Sequence, residues 1–503
     1  MTRTRFLVFA GAAFVAGCGF LIGLEDRELP ATPQEAGPDA PGTTDGPSTT
    51  DGPDQPDVLT DSGTDGTTCT CAEGCSDAGV CLSEIVALGV GRNHNCLVRA
   101  DGKLFCVGRN DLAQLATNLG AQKETYVSIN ANDGVGSPIK WRDVAAGGSS
   151  TCALTTAGDL YCWGVNSRMQ LAQDTGGNPQ PIPKKVDLGA AKVKSFSVGA
   201  YHACAIIDVA TGPNIRCWGN GTNGELGTDN DAGASADQTA TPQTVVGLRA
   251  KTIHANDTDG APEGGRTCAV SEGNVPFCWG LNSGHEISEG AVPSVCTYPC
   301  TLAPLRFDPV ATNALFVGSA IHFACELLSG ATNTIRCRGD VGDLVADPNA
   351  CTSSSNIFDF ATPNLNPQKL AMSSTHACFI NANSDVHCFG DNEFLETGVP
   401  GSDKCGAHFQ GFARRGAVAI AVPAPGGVGT VKGKLLAVGR GNGLVYTTAR
   451  TLVGWGWDDY GELGLPLPPA GVVDGGDNVD AGVTCTGGNR CSGPRTIALP
   501  AFP

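Results

Sequence analysis

Pairs of cysteines recur along this chain with a short turn between their members. The stretch CALTTAGDLYCWG (152–164) holds Cys152 and Cys162 on either side of a turn that contains Gly158. With a three-residue loop at 156–158, the two cysteines lie opposite each other on a β-hairpin, and Gly158 takes the left-handed position. Opposed residues of an antiparallel pair come close enough for a disulfide. The spacing therefore predicts a bridge within the hairpin.

The same arrangement occurs in six units and predicts six bridges. In a seventh unit, LVYTTARTLVGWG, Leu444 and Gly454 replace both cysteines together, as expected for bonded partners. A lone pair per unit has no second ligand pair nearby, so a metal site is not predicted. The six pairs are Cys96–Cys106, Cys152–Cys162, Cys204–Cys217, Cys268–Cys278, Cys325–Cys337 and Cys378–Cys388. Cys296 with Cys300, and Cys485 with Cys491, are predicted loop staples, whereas the pairing of Cys69, Cys71, Cys75, Cys81, Cys351 and Cys405 stays open.

Histidines and acidic loops offer other chemistry. Four imidazoles facing one axis could bind zinc, but here they belong to units that are not all adjacent, which favours a structural role. Segments 228–237 and 474–482 space aspartate and glycine as a calcium loop does, but lack its closing glutamate. The sequence has no nucleophile elbow, phosphate loop or zinc-protease helix, so no catalytic residue, metal or cofactor is predicted. The histidines are His94, His202, His322 and His376.

Composition restricts the class of protein. The 503 residues include 69 glycines and only 16% charged residues, which is typical of short strands joined by tight turns. Twenty-three cysteines indicate an oxidising compartment. The net charge of −18 repels phosphate backbones, so nucleic acid is not an expected partner.

The N-terminus, MTRTRFLVFAGAAFVAGCG, resembles a bacterial lipoprotein signal with its lipobox. The resemblance implies a signal peptide at 1–18, a lipid on Cys18 and an outer-membrane location on the periplasmic or the cell-surface side. An ordinary secretory signal with an incidental cysteine is the alternative. Residues 19–68, an acidic segment rich in Pro, Gly and Thr, are predicted to be a disordered linker, followed by a cysteine-rich segment at 69–84. Membrane contact is thus predicted through the lipid anchor only.

Seven units spaced 51 to 66 residues apart predict a repeat architecture over 85–503. Each unit contains short strands and turns suited to one antiparallel blade. The expected fold is all-β, a seven-bladed β-propeller of four-stranded antiparallel blades with six intra-blade disulfides. One aromatic position recurs, and packing between blades explains it better than sugar stacking. Its residues are Trp163, Trp218, Trp279, Phe389 and Trp455.

The segments CWGVNSRMQLA, CWGNGTNGELG and GWGWDDYGELG resemble the regulator-of-chromosome-condensation repeat family, which implies a seven-bladed propeller. The fifth unit departs from the pattern with Arg338 at the Trp position, and its blade is predicted to be the least regular. The first unit lacks a proline-marked strand, and the C-terminal stretch SGPRTIALP is a spare one. Residues 494–500 are therefore predicted to complete the first blade.

The resemblance does not transfer the family's action on a chromatin-bound GTPase to an exported, acidic chain. The sequence predicts a monomeric, non-enzymatic scaffold that binds a protein or glycan, because the frame repeats while the loops vary. Trp457 and Tyr460 lie outside the repeated aromatic position and are the candidate binding residues. One alternative is an enzyme inhibitor, since a secreted bacterial relative of this fold inhibits β-lactamases. The other is a lyase or hydrolase that uses the propeller axis.

Overall fold

The computed structural model describes residues 81–117, 120, 122–131, 136–229, 238–256, 265–288, 296, 299–321, 323–339, 354–360, 365–392, 395–399, 413–414, 420–464 and 491–499. All of them belong to one compact unit, Gln55–Pro503. Cys18, the linker at 19–68, the cysteine-rich segment before residue 81, Cys351, Cys405 and Cys485 lie outside the described residues. Among the residues described, no helix has the length and apolar character needed to cross a membrane.

The described chain forms seven antiparallel sheets, and each sheet is one blade. Blade 1 holds β1 (Ile85–Val90), β2 (His94–Arg99), β3 (Leu104–Gly108) and β4 (Lys123–Ser128). Blade 2 holds β5 (Trp141–Gly147), β6 (Ser150–Thr155), β7 (Leu160–Gly164) and β8 (Gln180–Lys185). Blade 3 holds β9 (Val193–Val198), β10 (His202–Ile207), β11 (Ile215–Asn220) and β12 (Gln238–Thr244). Blade 4 holds β13 (Ala250–Ala255), β14 (Arg266–Ser271), β15 (Pro276–Leu281) and β16 (Cys300–Arg306).

The remaining blades follow the same order. Blade 5 holds β17 (Ala314–Ser319), β18 (Phe323–Leu328), β19 (Thr334–Gly339) and β20 (Ser354–Phe360). Blade 6 holds β21 (Pro367–Met372), β22 (His376–Asn381), β23 (Val386–Asp391), β24 (Ala413–Arg414) and β25 (Ile420–Ala421). Blade 7 holds β26 (Gly433–Val438), β27 (Asn442–Thr447), β28 (Leu452–Trp457) and β29 (Cys491–Ile497). The predicted all-β, seven-bladed propeller of four-stranded antiparallel blades is confirmed.

Burial differs from strand to strand within a blade. First strands of neighbouring blades contact each other all the way round the ring, so they surround the axis. Second strands such as β2 and β6 are buried along their whole length, whereas a fourth strand such as β4 is largely exposed. Tight hairpins between second and third strands, such as 100–103, mark one end of the propeller, named here the hairpin end. The connections between third and fourth strands, such as 165–179, mark the opposite end, named the loop end.

The C-terminal strand does not complete the first blade, so that prediction is wrong. Strand β29 pairs with β28 as the fourth strand of blade 7, in a register that places Ile497 opposite Leu452. The proline-marked strands lie between two repeats in sequence. Strands such as β12 close the blade before them, whereas β21 begins blade 6. The ring is joined instead by contact between β1 and β26. Asn95 Nδ2 also donates to Glu462 O at 2.7 Å across this seam.

Blade 5 was predicted to be the least regular, but the least regular sheet is blade 6. Two short strands, β24 and β25, take the place of one fourth strand in blade 6. Blade 5 keeps four strands, and Arg338 makes a hydrogen bond to the preceding blade as the tryptophans do. Its Nη1 donates to Ile287 O of blade 4 at 2.9 Å, and its guanidinium lies 5.6 Å from the ring centre of Phe307.

Ile497→Ala should lower the free energy of unfolding by about 2–4 kcal/mol, because it opens a cavity where β29 seals blade 7. Ile497 is buried beside Leu444 and Leu463, whereas Leu499, two residues further on, is exposed. Leu499→Ala is the matched control and should cost less than about 0.5 kcal/mol. Urea unfolding of both variants measures the difference. Equal losses would show that β29 is not part of the packed blade.

Candidate functional site

The repeated cysteines lie within the blades, at the positions expected from their spacing. Seven pairs whose two cysteines are both described are at disulfide distance, one more than the six intra-blade pairs, because Cys296 and Cys300 also meet. The six intra-blade pairs have Cα–Cα separations of 4.0 to 4.1 Å, which suits directly opposed residues of an antiparallel ladder. Gly158 has φ of 82° at the turn between Cys152 and Cys162. Cys491 is disulfide-bonded too.

The repeated tryptophans join neighbouring blades. Each is fully buried, and each donates its indole N–H to a backbone carbonyl of the preceding blade. Packing between blades therefore occupies these rings, and they offer no surface for sugar stacking. The bonds join Trp163 to Gln114 (2.8 Å), Trp218 to Gln170 (2.9 Å), Trp279 to Glu225 (2.8 Å) and Trp455 to Glu396 (2.8 Å).

Two of the four repeated histidines, His94 and His202, serve blade interfaces. His376 instead contacts Ser373 of its own blade at 3.0 Å, and His322 lies outside the described residues. His94 Nε2 lies 2.8 Å from Thr151 Oγ1 of blade 2, and that hydroxyl donates to the carbonyl of Gln114 at 3.1 Å. The hydroxyl proton is thereby used, so Nε2 donates to it, and burial lowers the pKa of His94 to about 3, which keeps the ring neutral. His202 and Thr267 repeat the contact at 2.8 Å between blades 3 and 4. Among the described residues no group of three or more His, Cys, Asp or Glu side chains could hold a metal ion.

The buried histidines should make the propeller less stable as the pH falls below about 6.5. Burial lowers the pKa of His94 to about 3, so between pH 6.5 and 3 the unfolded chain binds a proton that the folded chain excludes. Asn442 occupies the equivalent position in blade 7. His94→Asn should therefore show a smaller drop in melting temperature between pH 7.5 and 5 than the unaltered chain. An equal drop in melting temperature for His94→Asn and the unaltered chain would contradict the assignment of this pH dependence to His94.

The Asn and Gln positions of each repeat fold the start of the loop-end connection. In blade 2, Asn166 Oδ1 accepts from Leu171 N at 3.0 Å, and Gln170 Oε1 accepts from Arg168 N at 2.8 Å. Asn282 and Glu286 make the same bonds in blade 4. These residues shape the frame, so the motif that carries the repeat does not by itself provide a binding site.

Two carboxyl groups, those of Glu286 and Glu326, are buried between blades 4 and 5. Arg266 and Glu286 form an ion pair at 2.5 Å with almost no exposed area. Burial, followed by the charge of Asp308, raises the pKa of Glu326 to about 9, so this carboxyl is protonated at neutral pH. Paired carboxylates can do acid–base chemistry, but Glu326 is fully buried and Asp308 nearly so. A substrate has no access to these groups in the folded blade.

The predicted binding residues Trp457 and Tyr460 lie at the loop end, where blade 7 meets blade 1. The guanidinium of Arg440 is 5.4 Å from the ring centre of Trp457, and that of Arg109 is 4.9 Å from the ring centre of Tyr460. All four side chains are partly exposed. We name these four residues the seam patch, since Arg109 belongs to blade 1 and the others to blade 7.

The seam patch is not required by the repeat. Other blades place Val165, Asn220 and Leu281 where blade 7 has Trp457. The sequence singled out the two aromatic residues, but it missed both arginines. Arg440 lies in a short turn after β26, and Arg109 is separated from Tyr460 by most of the chain. Only closure of the ring brings these residues together.

The fold, the interlocking tryptophans and the loop motif together define a repeat β-propeller. The model of the regulator of chromosome condensation (RCC1) repeat matches residues 85–114 and 141–170, and a second model of that repeat matches 157–206. The chain therefore contains RCC1 repeats. The resemblance seen in the sequence is confirmed to that extent.

Three known proteins show how far the similarity reaches. The RCC1 domain-containing protein RUG3, mitochondrial, of Arabidopsis thaliana is 25% identical over 226 residues, which are 43% of this chain and 46% of that protein. Human E3 ubiquitin-protein ligase HERC2 is 25% identical over 209 residues, 41% of this chain and 4% of that protein. The match thus spans less than half of either relative. The crystal structure of human WBSCR16 has the same fold, with a TM-score of 0.55 at 15% identity over 71% of this chain and 85% of that one.

Proposed function

We propose that this protein is a binding scaffold that engages a protein partner through the seam patch. The observation that carries the proposal is the pairing of Trp457 and Tyr460 with two arginines at a partly exposed junction of blades. Tryptophan, tyrosine and arginine are the residues most enriched among those that dominate binding energy at protein interfaces. RCC1-repeat propellers are commonly used for protein interaction, which agrees with this reading.

The architecture also supports a binding role, because a rigid frame carries variable loops. Disulfides and tryptophans hold the blades in fixed positions, so the seam patch is presented without a large ordering cost. Loop-end connections differ in length and sequence from blade to blade, while the strands repeat. Rigid frames with variable loops are suited to recognition. No feature of the described residues favours a β-lactamase-type inhibitor or an axial lyase or hydrolase, so neither is proposed.

We further propose that the protein is exported and anchored by a lipid on Cys18. The seven cysteine pairs at disulfide distance support an oxidising compartment. In cells fed labelled palmitate, the chain should acquire label and Cys18→Ala should not. Label on the variant, or none on either chain, would contradict the anchor without touching the binding proposal.

The partner is sought by comparing three chains in one capture experiment. The oxidised full chain, the double variant Trp457→Ser/Tyr460→Ser and the control Ile182→Ser are each used to retain proteins from envelope extracts. Ile182 is a large apolar residue exposed on β8, away from the seam patch. The partner should be retained by the full chain and the control. The double variant should bind it at least about 30-fold more weakly, as expected for hot-spot residues. Equal retention by all three chains would contradict the proposal.

A further inference from the structure

Four blades begin with the same short pattern, a basic residue, any residue and a second basic residue. The first basic residue directly precedes the first strand of the blade, and the second lies one position inside it. All four patterns therefore lie at the hairpin end, around the mouth of the axis. They contain eight of the 32 lysines and arginines of the chain. We name these residues the basic arc: Lys140 and Arg142, Lys192 and Lys194, Arg249 and Lys251, and Lys432 and Lys434.

The second basic residue of each pattern occupies a β-bulge. In blade 4 the register between β13 and β14 skips Lys251, and in blade 3 the register between β9 and β10 skips Lys194. A bulge turns a side chain away from the regular alternation of the strand. The same bulge position in blades 1, 5 and 6 holds Val86, Leu315 and Gln368. The fold therefore does not require a basic residue there.

The first members of the patterns contact neighbouring hairpins. Of the second members, Lys434 pairs with Glu84, whereas Lys194 and Lys251 are less fully neutralised. Lys192 pairs with Asp159 of the previous blade at 2.7 Å. Lys194, by contrast, pairs with Asp208 where both side chains are about 60% exposed, and such pairs hold little energy. Lys251 donates to the neutral Asn274. The carboxylates that face the eight basic residues are Glu84, Asp143, Asp159, Asp208, Glu272 and Asp385, which leaves positive charge in excess.

Apolar side chains project from the same end. Of the five large hydrophobic residues that are exposed among the described residues, four lie at the hairpin end and only Ile182 lies within a fourth strand away from it. Val428 is 87% exposed in the connection before β26, and Val310 is 76% exposed in the connection before β17. Leu305 and Leu499 lie where the fourth strands β16 and β29 end.

Two connections at the loop end are acidic. The described parts of these connections, 221–229 and 458–464, contain no lysine or arginine. Their acidic residues are Glu225, Asp229, Asp458, Asp459 and Glu462. Charge at one end is screened from the other within about 8–10 Å at physiological ionic strength. The basic arc therefore acts locally despite the net charge of −18.

We propose that the hairpin end docks on an anionic lipid surface, with the basic arc meeting the headgroups and Val428 and Val310 entering the interface. Basic clusters beside protruding apolar side chains suit a membrane surface better than a soluble acidic peptide, which would need no apolar tips. The chain also enters the propeller at this end, where Glu84 pairs with Lys434. Docking there leaves the seam patch facing away from the membrane. The sequence predicted membrane contact through the lipid alone, and this proposal adds a second contact.

Vesicle sedimentation tests the docking face. The full chain with Cys18→Ser, which cannot be lipidated, is mixed with phosphatidylcholine vesicles that contain or lack about 30% phosphatidylglycerol. Lys194→Gln/Lys251→Gln should weaken binding to the anionic vesicles by about fivefold for each lysine. The matched control Lys123→Gln/Arg168→Gln removes two exposed basic residues at the loop end and should bind as the parent does. Val428→Asn should also weaken binding, whereas Ile182→Asn should not.

Three results would overturn the proposal. One is equal binding by the basic-arc variant and its loop-end control. Another is equal binding of the parent to neutral and anionic vesicles. The third is retention of the parent by immobilised poly-glutamate but not by vesicles, since this would assign the basic arc to an acidic polypeptide. Partner capture by the seam patch is measured without vesicles, so failure of either proposal is distinguishable from failure of the other.

Discussion

Trp218→Ala should lower the free energy of unfolding by about 3–5 kcal/mol, the cost of deleting a large buried aromatic side chain. Trp218 has no exposed area and packs in a core shared by blades 2 and 3. Its removal leaves a cavity there, and it also leaves the carbonyl of Gln170 without the indole donor at 2.9 Å. Urea unfolding followed by circular dichroism measures the loss.

Two further variants separate packing from hydrogen bonding. Trp218→Phe keeps most of the ring and loses the donor, and it should cost about 1–3 kcal/mol. Phe389 fills the same position in blade 6, so the fold accepts this residue. Trp457→Ala removes a partly exposed tryptophan from the seam patch and should cost least of the three. If Trp457→Ala were as destabilising as Trp218→Ala, the assignment of one tryptophan to the frame and the other to the surface would be wrong.

Cys152→Ala/Cys162→Ala should cost about 2–3 kcal/mol, because a bridge that closes a ten-residue separation restricts the unfolded chain. The melting temperature of the oxidised variant should be several degrees lower than that of the unaltered chain. In dithiothreitol the melting temperatures of the variant and the unaltered chain should become more nearly equal, since neither chain then holds this bridge. A gap that persists undiminished under reduction would mean that packing, rather than the bridge, supplies the stability.

Blade 7 offers a matched replacement for the bridge. There Leu444 lies opposite Gly454, and the space above Gly454 is filled by Leu444, Leu463 and Ile497. Cys152→Leu/Cys162→Gly would copy this solution into blade 2, where Leu171 follows the same loop motif. This variant should lose less stability than the alanine pair, because leucine fills the volume that the two sulfur atoms leave.

The repeat could be predicted from the sequence because its signals are local. Each cysteine pair spans one hairpin, and each aromatic residue falls at a fixed offset from the second cysteine. The blade to which each proline-marked strand belongs was harder to predict, because such a strand is equally close in sequence to the blade before it and the blade after it. Residues 491–497 show the outcome, since they close blade 7 and not blade 1.

The candidate sites depend on contacts that no local pattern reveals. Arg338 departs from the repeat pattern at the tryptophan position of the fifth unit. Its guanidinium nevertheless donates a hydrogen bond to the preceding blade, as an indole does elsewhere. Arg109 joins the seam patch only because blade 1 closes on blade 7. The basic arc is visible as tripeptides in the sequence. That these residues lie together could not be predicted, because bulges in the folded blades place Lys194 and Lys251 at one mouth of the axis.

The central claim is that a partner binds the loop end at the junction of blades 7 and 1. Hydrogen–deuterium exchange of the full chain, with and without the captured partner, tests this most directly. We expect new protection in the segments around Arg109, Arg440 and 457–461, with little change in the hairpins of blades 3 and 4. Protection confined to the hairpin end or to the axis-lining first strands would contradict the claim.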